Sequence, residues 1–132
     1  MKSFAVSFMV VFLTAFFAVA KDDNGRIQFE EKVHDFGTIK EENGPVSYEF
    51  EFKNVGDGPL TIISANASCG CTRPEYPQEP IRPGKKGKIK ITYNPAGRPG
   101  EFDRKVRIRT SDEKRRVVLR ITGVVIPKNV EE

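Results

Sequence analysis

From Ile27 onward the apolar residues recur at every second position, in short runs bounded by glycine, proline, asparagine and aspartate. A period of two sends alternate side chains to opposite faces of an extended strand, whereas a helix facing a core needs a recurrence near 3.6. The clearest run covers residues 46–53, with Val46, Tyr48, Phe50 and Phe52 on one face and Ser47, Glu49, Glu51 and Lys53 on the other. Such a strand meets a core on one side and water on the other. Comparable runs cover residues 27–30, 33–39, 60–65, 88–93, 102–110 and 115–126, separated by turn-forming stretches at 41–45, 54–59, 94–100 and 111–114. Segment 72–84 carries Pro74, Pro77, Pro80 and Pro83, which excludes a helix and argues against a central strand. It reads as a surface connection pinned by Tyr76 and Ile81. No stretch keeps helical periodicity. The pattern predicts an all-β fold, a two-sheet antiparallel β-sandwich of seven to eight strands. Its core takes Phe36, Ile39, Ile89, Ile91, Tyr93, Val106, Ile108, Val117, Leu119 and Ile121.

The first twenty residues follow different rules. Lys2 precedes an uncharged run, residues 3–20, that is rich in Phe, Val and Ala and closes on Ala18-Val19-Ala20. A basic start, an apolar middle and a small-x-small end predict a secretory signal peptide, cleaved before Lys21. The run is also long enough to serve as an anchor if it is left uncut. The expected layout is a signal peptide at 1–20, a flexible lead-in at 21–25, a sandwich domain at 26–127 and a loose tail at 128–132. Cleavage leaves 112 residues, a common size for one domain. Of the 22 basic residues only Lys2 lies in the leader, so 21 face 18 acidic ones and the net charge is +3. So mild an excess does not suit a nucleic-acid binder, and export would keep the two apart. The expected location is periplasmic or secreted, with membrane contact only if the leader stays attached. The expected state is a monomer or weak oligomer.

Both cysteines fall in Ser68-Cys69-Gly70-Cys71-Thr72. On an extended strand Cys69 and Cys71 would point the same way with Cα atoms roughly 6.6 Å apart, at the long end for a disulfide. Gly70 can bend the backbone and shorten that gap, closing a very small ring of the readily reduced kind. Three states stay open: small buried thiols packed at a strand end, an exchangeable bridge, or a two-thiolate clip for Cu(I). Zinc would ask for four ligands, and His34 is the sole histidine.

Taken together, Phe36-Gly37-Thr38-Ile39, then Phe50-x-Phe52-x-Asn54-x-Gly56-x-x-Pro59-Leu60-x-Ile62, the Ser-Cys-Gly-Cys-Thr element, Ile81-x-Pro83-Gly84 and Gly100-x-Phe102 resemble a large family of exported bacterial domains of unknown function. The resemblance runs from Phe29 to Ile126. It implies an immunoglobulin-like sandwich, similar to ASH and major-sperm-protein domains and more distantly to pilus chaperones of the PapD type. Those relatives are mainly interaction modules. A fold shared with them does not settle function.

His34 lies beside Asp35, and a Cys69–His34–Asp35 catalytic group can be drawn on paper, yet no spacing places the three together. The chain is therefore expected not to be an enzyme. Basic residues at 85–90, 104–109 and 115–120 are assigned to outward positions, where they form a solvated face that guards strand edges or a docking face for an anionic partner. Lys88, Lys90, Lys105, Arg107 and Arg109 are the candidates for that face. The expectation is an exported binding or scaffolding module that contacts an envelope protein or anionic glycan through a sheet edge or basic face, without a cofactor. The alternative is a Cu(I)-handling or redox protein that works through Cys69 and Cys71.

Overall fold

Eight strands follow one another along the chain: β1 (Ile27–Phe29), β2 (Val33–Lys40), β3 (Val46–Asn54), β4 (Ile62–Ala67), β5 (Thr72–Glu75), β6 (Lys86–Tyr93), β7 (Gly100–Thr110) and β8 (Val117–Ile126), with one 3-10 turn at Glu41–Asn43. They come from a computed structural model, which describes residues 24–128. The expected signal peptide, the lead-in up to residue 23 and the tail from residue 129 lie outside the described residues. The strands form two four-stranded sheets, the first in the order β1-β3-β6-β5 and the second β2-β8-β7-β4. Period-two alternation sends Phe50, Phe52, Ile89, Ile91 and Tyr93 inward from the first sheet and Val106, Ile108, Leu119, Ile121 and Val125 from the second. This is the expected sandwich.

The expectation needs correcting in four places. β2 lies parallel to β8, so the sandwich is not wholly antiparallel. The chain leaves β2 for the other sheet, so no hairpin fixes its direction, and it covers the edge of β8 that β7 leaves free. Its register slips between Asp35 and Thr38, where Gly37 sits at φ 68° and donates its N–H to Asp35 Oδ1 at 2.8 Å. Second, the first four residues of the expected 72–84 connection form β5, an edge strand in which Pro74 stands opposite Ile91. An edge tolerates a residue with no N–H. Third, Gly25 of the lead-in is buried, because its Cα face lies against Leu60 and leaves no room for a Cβ. Fourth, Lys128 of the expected loose tail donates its N–H to Glu41 Oε2 at 3.2 Å, while Gly97 donates to Oε1 at 2.9 Å. Those backbone donors, Gly97 before Lys128, hold the Glu41 carboxyl below its ordinary pKa.

Asn54 closes β3 and is fully buried. Its Oδ1 accepts the N–H groups of Arg26 and Gly56, each at 3.0 Å, and its Nδ2 donates to the carbonyls of Gly58 and Ile81, each at 2.8 Å. The full capacity of a carboxamide is used. Its own N–H donates to Lys85 O and its carbonyl accepts from Gly84 N–H. One side chain therefore joins the entry to β1, the β3–β4 turn and the proline-rich loop before β6. Gly56 is required beside it, since a Cβ there would lie 2.5 Å from Asn24 O.

Replacing Asn54 with alanine removes four hydrogen bonds and strands the buried Gly58 carbonyl, while the Ile81 carbonyl keeps the Leu60 N–H. Asn54→Ala is expected to lower unfolding free energy by about 2–4 kcal/mol, allowing for partial relaxation of the turn. Urea unfolding followed by far-ultraviolet circular dichroism measures it.

Candidate functional site

β4 belongs to the second sheet and β5 to the first, so residues 68–71 carry the chain from one layer to the other. That crossing dictates the backbone. Thr72 donates its N–H to Cys69 O at 3.2 Å, which closes a tight turn. The cysteines thus lie on a turn and not on an extended strand, and their Cα atoms are 5.2 Å apart, bridged by a Cys69–Cys71 disulfide. No free cysteine remains among the described residues. The Cu(I) alternative accordingly needs the bridge reduced first. No three His, Cys, Asp or Glu side chains among the described residues gather as a metal site.

The two sulfurs have different surroundings. Cys71 is 3% exposed and belongs to the core, while Cys69 is half-buried and packs against it. The Cys71 N–H points at Cys69 Sγ at 3.1 Å, and the Thr72 hydroxyl lies 3.6 Å from Cys71 Sγ. Asn94 donates its N–H to Cys71 O at 2.8 Å and ties the turn to the end of β6. Gly70 is exposed, has no positive φ, and has open space where a Cβ would stand. Neither backbone nor packing demands a glycine there.

Two buried polar groups without hydrogen-bond partners among the described residues sit on the strands beside this corner. Tyr93 pairs with Thr72 across the β5–β6 ladder, is fully buried, and stacks on Phe102 at 4.0 Å between ring centres. Its hydroxyl has no partner among the described residues. On β7 the inward positions run Phe102, Arg104, Val106, and Val106 pairs with Ala67, two residues before Cys69. The expectation places Arg104 among the outward basic residues. It instead occupies the inner row, partly buried, with its Nε buried and without a hydrogen-bond partner among the described residues. The alternation of Phe102, Arg104, Val106 and Ile108 was the signal that marked it.

The structure keeps the Cys69–His34–Asp35 group apart. His34 on β2 pairs with Ile121 of β8, and Ile121 with Arg104 of β7. β4 lies beyond β7, so three strand spacings, about 14 Å, separate the histidine's row position from the cysteine end of β4. His34 is stacked on Tyr48 at 3.6 Å and meets the edge of Phe36 at 4.6 Å. Tyr48 donates its hydroxyl to Glu31 at 2.8 Å, which raises the phenol's pKa.

Nor is there a single basic face. Lys88 and Lys90 point out from the first sheet, Lys105, Arg107 and Arg109 from the second, on opposite sides of the sandwich. On the first sheet Lys88 meets Glu49 at 3.5 Å, Lys86 meets Glu51 at 3.2 Å, and Lys90 stands opposite Glu49 and Glu75. On the second, Arg120 grips Asp103 through Nε at 2.6 Å and through its terminal nitrogen, while Lys105, Arg107 and Arg109 have no ion pair among the described residues. Exposed Val118 stands opposite Arg107, and exposed Val33 opposite Arg120. A cleft of about 580 Å³ lies at the other end of β4, lined by Arg26, Asp57, Asp112, Glu113 and Arg115 among others, with charges of both signs.

Comparison with known proteins fits this geometry. Residues 27–125 match the family described as protein of unknown function DUF1573. No curated protein matches the chain significantly. Among solved structures the chain is similar to a protein of unknown function from Porphyromonas gingivalis W83, with TM-score 0.69 and 18% identity, covering 83% of this chain and 51% of that one. It is also similar to the YadV chaperone, with TM-score 0.51 and 15% identity over 80% of this chain and 54% of that one. The VesB protease of Vibrio cholerae gives TM-score 0.57 and 15% identity over 74% of this chain and 31% of that one. At these identities the likeness is one of fold, and the chain spans about half of the first of these structures.

Asp103 is held below its ordinary pKa of 3.8, first by the Arg120 hydrogen bond and then by the charges of Arg120, Lys105 and Arg104. Its contribution to stability is complete above that ordinary value and is lost as pH falls through the lowered value in the folded chain. A carboxyl-carbon NMR titration is expected to give Asp103 a midpoint below 3.8, and Arg120→Gln to return it most of the way.

Proposed function

The chain belongs to the DUF1573 family of unknown function, and from that premise we propose that it is a non-enzymatic, exported binding module that docks an acidic protein of the envelope on the outer face of its second sheet. The observation that carries this reading is the difference between the two outer faces. On the first sheet Lys86, Lys88 and Lys90 each meet or stand opposite a glutamate, whereas on the second Arg107 and Arg109 have no acidic partner among the described residues and Lys105 acts only on Asp103, which Arg120 already holds. Alternate residues on a strand are about 6.8 Å apart, so the row presents a fixed ruler of positive charge. Arginines beside exposed Val33 and Val118 give the mixed cationic and aliphatic surface that suits a protein partner better than a glycan.

The sheet edges are poorer candidates. β5 carries Pro74, and β4 is irregular between Ile62 and Ser64, two features that discourage pairing with an added strand. Export is supported by the leader sequence and by a bridged cysteine pair, which suits an oxidising compartment.

Poly-L-glutamate serves as the probe of an acidic polypeptide surface. Binding is expected to weaken with salt, and Arg107→Glu with Arg109→Glu to weaken it by about tenfold, equivalent to ~1.4 kcal/mol. Lys88→Glu with Lys90→Glu is expected to leave it nearly unchanged. Equal losses from the two pairs, or stronger retention on heparin than on polyglutamate, would overturn the assignment.

A further inference from the structure

We propose that the Cys69–Cys71 bridge is an exchangeable disulfide that accepts two electrons from a dithiol on another exported protein, with Cys69 as the sulfur attacked and Cys71 as the leaving thiolate. Four independent features of the corner point to this.

The bridge spans only one intervening residue, so it removes little chain entropy from the unfolded state and is a weak staple. Access is one-sided: Cys71 is sealed in the core, while Cys69 is half-buried and flanked by the exposed Gly70. That glycine meets no steric or conformational requirement, and its bare Cα leaves the solvent side of the bridge uncovered. Donors stand ready for both sulfurs, the Cys71 N–H for Cys69 Sγ and the Thr72 hydroxyl for Cys71 Sγ. Finally, Arg104 stands at the β7 position that the β4–β7 register would reach at Cys69, and Tyr93 stands opposite Thr72, the Arg104 Nε and the Tyr93 hydroxyl both being buried without a hydrogen-bond partner among the described residues. A partly buried guanidinium and a buried phenol that lack these hydrogen bonds among the described residues carry a cost that an anion beside them would offset. A thiolate released at Cys71 is such an anion, and a nearby cation favours it.

The chemistry balances. A thiol of the partner loses its proton and attacks Cys69 Sγ; the bond to Cys71 breaks, and Cys71 leaves as a thiolate that takes up a proton. The partner's second thiolate then attacks its own sulfur in the mixed disulfide, forming the partner's disulfide and releasing Cys69, which takes the second proton. Two electrons and two protons pass from the partner's dithiol to the bridge. Arg104 and Tyr93 act through the leaving sulfur and are positioning residues.

The test uses the oxidised chain and a synthetic peptide with two cysteines, quenched with acid and mapped by mass spectrometry. The expected result is a transient adduct on Cys69, formed while the circular dichroism spectrum stays native. In the reduced chain, pH-dependent alkylation is expected to give Cys71 an apparent pKa below the ordinary value of about 8.5. Arg104→Met should raise that pKa and slow exchange by about tenfold, with Arg104→Lys restoring most of the rate. Gly70→Val should slow the peptide without changing the melting temperature. An adduct confined to Cys71, reduction only on unfolding, or a Cys71 pKa at or above the ordinary value would overturn the proposal. The last two readouts need no variant, so a poorly folding Arg104→Met leaves the test intact.

Discussion

The carboxamide of Asn54 is the one polar group around which the rest of the sandwich is arranged. A strand that ends inside a core leaves backbone donors and acceptors of its neighbours without water, and here one side chain satisfies four of them. Two are accepted and two donated, so the orientation of the amide is fixed by its partners and neither aspartate nor leucine of similar volume can replace it. The entry to β1, the β3–β4 turn and the loop before β6 are each irregular, and irregular backbone is tolerated at a core only when its hydrogen bonds are accounted for. With that end of the first sheet secured, the opposite end, where the chain crosses between layers, is free to carry something other than structural necessity.

Much of this was legible in the residues. Alternation located the main strands and named much of the core, though not Leu60, Ile62 or Phe102, because a half-buried strand has to show its two faces in its sequence. The parallel placement of β2 was not legible, since strand direction against a distant partner is set by topology and leaves no mark on the alternation. Nor was the role of Asn54, which composition marks as a turn former and only the fold reveals as buried. Arg104 is the instructive case. Its charge argued for the surface and its position between Phe102 and Val106 argued for the interior, and position prevailed. The cysteine turn was not legible for a related reason: a local strand period says nothing about where the chain must change sheets. Charge composition likewise identified basic residues but could not divide them, because β6 and β7 belong to different layers.

The division gives the two outer surfaces separate physical characters. Glutamates stand across from lysines on the first sheet, and cross-strand pairs of opposite sign there are modest local attractions with little reach in salt. On the second sheet Lys105 lies directly across from Arg120, a like-charge juxtaposition eased by the diagonal grip of Arg120 on Asp103. The face keeps Arg120 occupied and leaves the cations farther along β7 facing water.

The parallel alliance of β2 with β8 also bears on how the chain is made. β2 starts at Val33, yet among the described residues the one ladder it joins is made with the ten-residue β8, which ends at Ile126. β8 sits between β2 and β7, so the second layer has a gap at its centre until that strand arrives. A polypeptide emerging from its N-terminal end therefore holds an unmatched β-ribbon until β8 has been made, and the sandwich can close only once that strand has cleared whatever delivers it.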